Sequence, residues 1–261
     1  MVLIFTGSYG VAGIEKNLLD GGGSDPVNRK FLKFWNKDTD GPLTPYEGQI
    51  ALLTIDGAPC VAGMFTDKNG TKVYAVKAAD GTVISTTYID DTATQDQGGV
   101  VVDASGNIIC SLNYSLGQDN GGIAIVNPSS STVVARYRTQ EKVSGSPAVD
   151  KAGNIHFGTE SGFYYIVKQN GANCELLVKR NIADLILADN RYKESFAKLG
   201  TAKIWCSPVI GDDGKMYICF TDNDTRAFGG VICLSYEGCS GPGNTEWPMI
   251  GHDRRHTGKQ N

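Results

Sequence analysis

SPAVDKAGNIHFGTESGFYYIV, from Ser146 to Val167, carries the plan of the whole chain. A short apolar strand meets a turn at Asp150 to Gly153, a second strand runs back, a small loop TESG follows, and a third apolar strand begins at Phe163. Asp and Gly close tight turns because both tolerate or cap left-handed backbone, and turns at this density imply short antiparallel strands. The same unit recurs upstream as ALLTIDGAPCVAGMF and GVVVDASGNIICSL and downstream as SPVIGDDGKMYICF. The turn glycines Gly57, Gly106, Gly153 and Gly214 stand 49, 47 and 61 residues apart. Steps near 45–50 residues suit one four-stranded blade of a repeat protein.

The long third step has a local cause. Residues 182–199 read IADLILADNRYKESFAKL, whose composition favours helix. A short helical insertion in a connection is expected there. A second shared element, apolar strand, polar turn, further strand, follows each turn unit: TKVYAVKAADGTVISTTY, GGIAIVNPSSSTVVARYR, SGFYYIVKQNGANCELLVKR and GGVICLSYEGC. The chain start supplies a fifth copy, LIFTGSYG and RKFLKFWNKDTDGPL, that lacks its first strand. The expectation is an all-β fold, a β-propeller of four-stranded antiparallel blades, about five in this chain, forming a single domain over residues 1–261. One blade cannot cover both its faces, but blades packed face to face around an axis can. The C-terminal segment beyond Tyr236 is expected to dock on or close the ring; the rival is a larger ring whose N-terminal part is missing. MVLIF at the start reads as the middle of a strand, as though the chain began inside a larger precursor.

Composition narrows the function. Charged residues are 20% of the 261 and the formal net charge is −4, with no basic stripe, which argues against nucleic acid as a partner. No apolar run reaches the length of a membrane span. Seven cysteines show no CxxC and no zinc-finger spacing. Cys110, Cys219 and Cys233 lie in strand-like runs and read as small core residues, with a disulfide of Cys239 to Cys206 or Cys233 as the alternative. His156 reads as a packed or hydrogen-bonded strand residue. His252 and His256 read as part of a docked irregular segment, and no metal set is assigned. Trp205 and Trp247 read as core-packing aromatics. No nucleophile elbow or Ser-His-Asp set can be assigned, and Gly21 to Gly23 form no phosphate loop.

These units resemble the PQQ-like, or quinoprotein alcohol-dehydrogenase-like, β-propeller repeats. Ser146 to Val167, SPVIGDDGKMYICF and GTKVYAVKAADGTVIST carry the resemblance, as does the tail TEWPMIGHDRRHTG from Thr245 to Gly258, which is similar to a W-P-M tail motif of such proteins. The resemblance implies a propeller, an extracytoplasmic location in the periplasm or at a bacterial cell surface, and, in the enzymes of the family, PQQ with calcium and a catalytic aspartate in the central funnel. This chain has no adjacent Cys-Cys pair and no assignable catalytic aspartate, so neither cofactor is expected. A non-enzymatic binding module is the leading reading; a quinoprotein dehydrogenase-like or calcium-dependent propeller enzyme is the alternative. In propellers of this topology the loops between second and third strands carry ligands most often. Candidate ligand-binding residues are therefore Asn113, Tyr114, Asp119 and Asn120 on one loop and Asp222, Asn223, Asp224 and Arg226 on another, facing a protein, small-molecule or carbohydrate ligand. Asp222, Asn223 and Asp224 read as a solvated turn, with weak calcium-ligand character.

Overall fold

A computed structural model describes residues 2–6, 10–14, 32–33, 50–67, 70–79, 82–90, 93–94, 98–114, 121–222, 229–250 and 252. Their strands form four sheets, which divide into five antiparallel units in sequence order, called sheets below, because the third and fourth units meet edge to edge in one nine-stranded sheet. The first has three strands, β1 (Val2–Thr6), β2 (Gly10–Ile14) and β3 (Leu32–Lys33). The second is a four-stranded meander of β4 (Ala51–Ile55), β5 (Ala58–Asp67), β6 (Gly70–Lys77) and β7 (Val83–Asp90). In the third, β8 (Ala93–Thr94) and β9 (Val100–Val102) share one edge of β10 (Ile108–Tyr114), followed by β11 (Gly121–Asn127) and β12 (Thr132–Thr139). The fourth comprises β13 (Ala148–Val149), β14 (Asn154–Gly158), β15 (Phe163–Asn170) and β16 (Asn173–Asn181). In the fifth, β17 (Ala202–Lys203) and β18 (Val209–Ile210) share one edge of β19 (Lys215–Asp222), whose other edge pairs β20 (Gly229–Ser235). A single parallel bridge, Arg136 to Asn173, joins the outer strands of the third and fourth sheets.

Alternation along each strand decides what the sheets do. Ile108, Cys110 and Leu112 of β10 pack with Leu53, Ile55, Cys60 and Ala62 of the second sheet. Their neighbours Ile109, Ile123 and Ile125 pack with Ile155, Phe157 and Tyr165 of the fourth. Tyr164 and Ile166, on the opposite face of that sheet, pack with Ile210, Met216, Ile218 and Phe220 of the fifth. With a side-chain period of two, each central sheet thus presents one apolar face to its predecessor and one to its successor. Serial stacking of antiparallel sheets in chain order is the arrangement of a β-propeller.

The Ser-Pro repeat has a structural use. The Gly99 amide donates to Ser146 Oγ, and the Ser146 amide donates to Ser207 Oγ at 2.9 Å, so each inner edge is laced to the next. At Gly145 a Cβ would stand 2.4 Å from the Cys206 carbonyl oxygen, so only glycine admits that approach. The Asp-Gly turns are equally literal. Asp103 Oδ1 accepts from the Ser105 and Asn107 amides, Asp150 Oδ1 accepts from the Ala152 and Asn154 amides, and Gly106 and Gly153 take φ of 76° and 79°.

The inserted segment is helical only in its first part. Helix α1 (Ile182–Ala188) is capped by Asn181, whose Oδ1 accepts from the Ala183 amide at 2.9 Å, and Ile182, Ala183 and Ile186 enter the core beside the fifth sheet. At Asp189 the backbone turns extended, and residues 190–198 continue as turns. No helix among the described residues is long and apolar enough to cross a membrane.

The C-terminal segment crosses the turn side of three sheets. The Thr54 amide and hydroxyl donate to the Glu246 carboxylate, each at 2.6 Å. The Val102 amide donates to the Trp247 carbonyl and the Val149 amide to the Pro248 carbonyl, both at 2.7 Å. Trp247 packs in the core between second and third sheets, and Met249 in the core between fourth and fifth.

Candidate functional site

Asn113, the last residue but one of β10, is buried, with its Oδ1 accepting from the Val143 amide at 2.7 Å. It fastens the link between third and fourth sheets. Asp222 closes β19 opposite Ala202 and is fully buried, so the expected solvated turn is corrected at this residue: pairing with β17 draws it into the sheet. The Tyr114 side chain and Asp119, Asn120, Asn223, Asp224 and Arg226 lie outside the described residues. The two candidate residues whose side chains are described, Asn113 and Asp222, are therefore buried roots of their loops.

The loop between β14 and β15 lies at the same end of the sheets. Glu160 accepts from the Ser144 hydroxyl and from Lys203 Nζ, the latter at 2.6 Å, and Lys203 lies 3.5 Å from the centroid of the Trp205 ring. Burial alone would raise the Glu160 carboxyl, but the hydrogen bonds and charge of Lys203, with Ser144, outweigh it and hold the group below its ordinary value. Trp205 is 43% exposed, which corrects its reading as a core aromatic.

The fourth sheet holds the densest chemistry among the described residues. His156 Nδ1 is 2.9 Å from Tyr164 Oη and its Nε2 is 3.0 Å from Asp150 Oδ2, all three residues being buried. Asn154 Nδ2 donates to the same Asp150 oxygen at 2.7 Å. Burial would raise the Asp150 carboxyl, yet hydrogen bonds from His156 and Asn154 bring it below its ordinary value. A phenol, not a serine, occupies the second ring nitrogen, so the pair is not the base of a hydrolytic triad. His156 is thus hydrogen-bonded in the core, as read. Sequence spacing could not show that Cys239, from the C-terminal segment, joins it: the ligand atoms of Asp150, His156 and Cys239 all lie within 4.8 Å of one another.

The fifth sheet differs from the others in one face. Register places Tyr217 opposite Cys233 and Cys219 opposite Val231. The corresponding cross-strand positions are His156 with Ile166 and Gly158 with Tyr164 in the fourth sheet, and Ile109 with Ile125 and Ser111 with Ile123 in the third. Those eight residues are buried by the following sheet. In the fifth sheet Tyr217 is 39% and Val231 64% exposed, and Cys219 and Cys233 are exposed too. The core reading holds for Cys110 and is corrected for Cys219 and Cys233. All seven cysteines are free thiols, so neither proposed disulfide of Cys239 forms. The open face thus presents a patch of aromatic, aliphatic and thiol side chains, Tyr217, Val231, Cys219 and Cys233.

No family model matches the chain, and no curated protein matches it. Among solved structures the chain is similar to one described as the structure of the Dos1 propeller, at 10% identity and a TM-score of 0.49, over 72% of this chain and 43% of that one. The chain thus spans under half the length of that structure.

Proposed function

We propose that the chain is a non-enzymatic, propeller-type interaction module whose association surface is the open face of the fifth sheet. The observation that carries this reading is the exposure of Tyr217 and Val231 at positions buried in both preceding sheets. Apolar faces of this kind mark protein–protein contacts, with aromatic side chains as anchors and a polar rim. Tyr217 and Val231 would be the anchors, and Lys215, two residues before Tyr217 on β19, part of the rim. Lys215 is held at 2.8 Å by Asp213, which keeps the rim charge in place. The partner's matching surface is an apolar sheet face, since that is what covers the same positions elsewhere in the chain. Five antiparallel units in chain order, two of them joined by the bridge from Arg136 to Asn173, support a count of five blades, the first with three strands.

The test is a double variant, Tyr217→Asp with Val231→Lys, compared with wild type by light scattering over a concentration series and by chemical crosslinking to co-purifying protein. Loss of the larger species or of the crosslink, at unchanged circular dichroism and Tm, is expected. Association that survives the substitutions would contradict the proposal. A fall in Tm without change of mass would assign the face to contacts within the chain and would equally overturn it.

A further inference from the structure

We propose that Asp150, His156 and Cys239 form a buried site for a borderline transition-metal ion, Zn²⁺ foremost, that clips the C-terminal segment to the fourth sheet. The three residues supply one oxygen, one nitrogen and one sulfur, a donor set that zinc accepts and that the hard cations calcium and magnesium do not prefer. They come from three places in the chain: the turn after β13, the strand β14 and the segment beyond β20. Their ligand atoms nonetheless converge within 4.8 Å, and all three residues are buried. Bonds of about 2.0–2.3 Å to nitrogen, oxygen and sulfur set tetrahedral neighbours somewhat under 4 Å apart. The 3.0 Å separation of His156 and Asp150 must therefore open by a few tenths of an ångström to admit an ion.

The surroundings are those of ligands held for a purpose. Tyr164 Oη meets the ring nitrogen of His156 that faces away from the cluster. Such contacts fix the ring orientation of metal-bound histidine. Asp150 Oδ1 is held by two backbone amides, leaving Oδ2 toward the cluster with Asn154 behind it. Binding would release the thiol proton and shift the imidazole proton from Nε2, where Asp150 accepts it, to Nδ1, where Tyr164 Oη accepts it.

A comparison within the molecule isolates the added residues. The turn at Asp103 repeats the carboxylate–asparagine box, with Asn107 Nδ2 donating to Asp103 Oδ2 at 2.9 Å. There Ile109 occupies the place of His156, packed in an apolar core. The box suffices to make the turn, so His156 and Cys239 are additions that the turn does not require.

The probe is Co²⁺ added to the purified, reduced full chain, with Zn²⁺ as competitor. Expected are saturation at one tightly bound ion per chain, tetrahedral visible bands with a thiolate-to-cobalt charge-transfer band, and bleaching by Zn²⁺. Cys239→Ser, which spares the strap's backbone hydrogen bonds, should abolish the charge-transfer band. Tyr164→Phe should weaken binding about tenfold or more without removing the band. A folded wild-type chain that shows no such band would overturn the proposal, because the Tyr164–His156–Asp150 chain would then be complete in itself. So would a band that survives in Cys239→Ser, which would point to the exposed Cys219 and Cys233.

Discussion

The fourth and fifth sheets are the same object with different neighbours. Both have a second strand leaving an Asp-Gly turn and a third strand paired in the same register, His156 with Ile166 in one and Tyr217 with Cys233 in the other. One face of each packs on its predecessor. The successor-facing side is buried in the fourth sheet and open in the fifth. The composition follows the cover: Ile166 and Tyr164 where a sheet lies above, and Tyr217, two thiols and Val231 where none of the described sheets does. A blade's two faces are thus separate problems, and only the first is set by the blade before it.

The comparison can be broken by truncating equivalent positions. Ile166→Ala removes a fully buried side chain between two sheets and should cost about 2–5 kcal/mol in urea unfolding. Cys233→Ala, at the matching position on the open face, should stay within about 0.5 kcal/mol. Equal effects at the two sites would show that the open face is covered in solution.

A smaller effect is expected at the lacing between inner edges. Ser207→Ala leaves the Ser146 amide without its acceptor, at a cost of about 1–2 kcal/mol, whereas Ser207→Thr should retain most of the stability. Smaller again is the effect of Glu160→Gln, roughly 1 kcal/mol at neutral pH for this partly exposed pair with Lys203. Its sign with pH is fixed. The folded-state carboxyl is depressed, so its contribution is complete above the ordinary glutamate value of 4.5 and disappears as pH falls through the lower folded value. The wild-type and Glu160→Gln stability curves should therefore converge below about pH 4. Curves that stay parallel into acid would contradict the ion pair.

Much of this was legible beforehand, for reasons particular to the residues. Gly106 and Gly153 adopt left-handed backbone, so their spacing reported real turns, and the period of two reported which side chains share a face. The tail's tryptophan was legible because an apolar ring in a glycine-rich segment needs a core, and Trp247 finds one. The exposure of Trp205 and Cys219 was not legible, since it depends on a neighbour rather than on the strand itself. Asp222 was misread because its burial comes from pairing with β17, a two-residue strand split from β18 by an irregular stretch that carries no periodic signal. The meeting of Cys239 with Asp150 and His156 spans more than eighty positions of chain and arises only once the C-terminal segment crosses the turns.

Native-state thiol labelling with site assignment by mass spectrometry tests the serial stacking most directly. Cys110 sits between second and third sheets, and burial pushes its thiol up to about 12. The account predicts that Cys219 and Cys233 react promptly at neutral pH, while Cys110 reacts only at the rate of global unfolding. Prompt labelling of Cys110 in the folded protein, or protection of Cys219 and Cys233 equal to it in chain diluted until it is monomeric, would contradict the stacking described here.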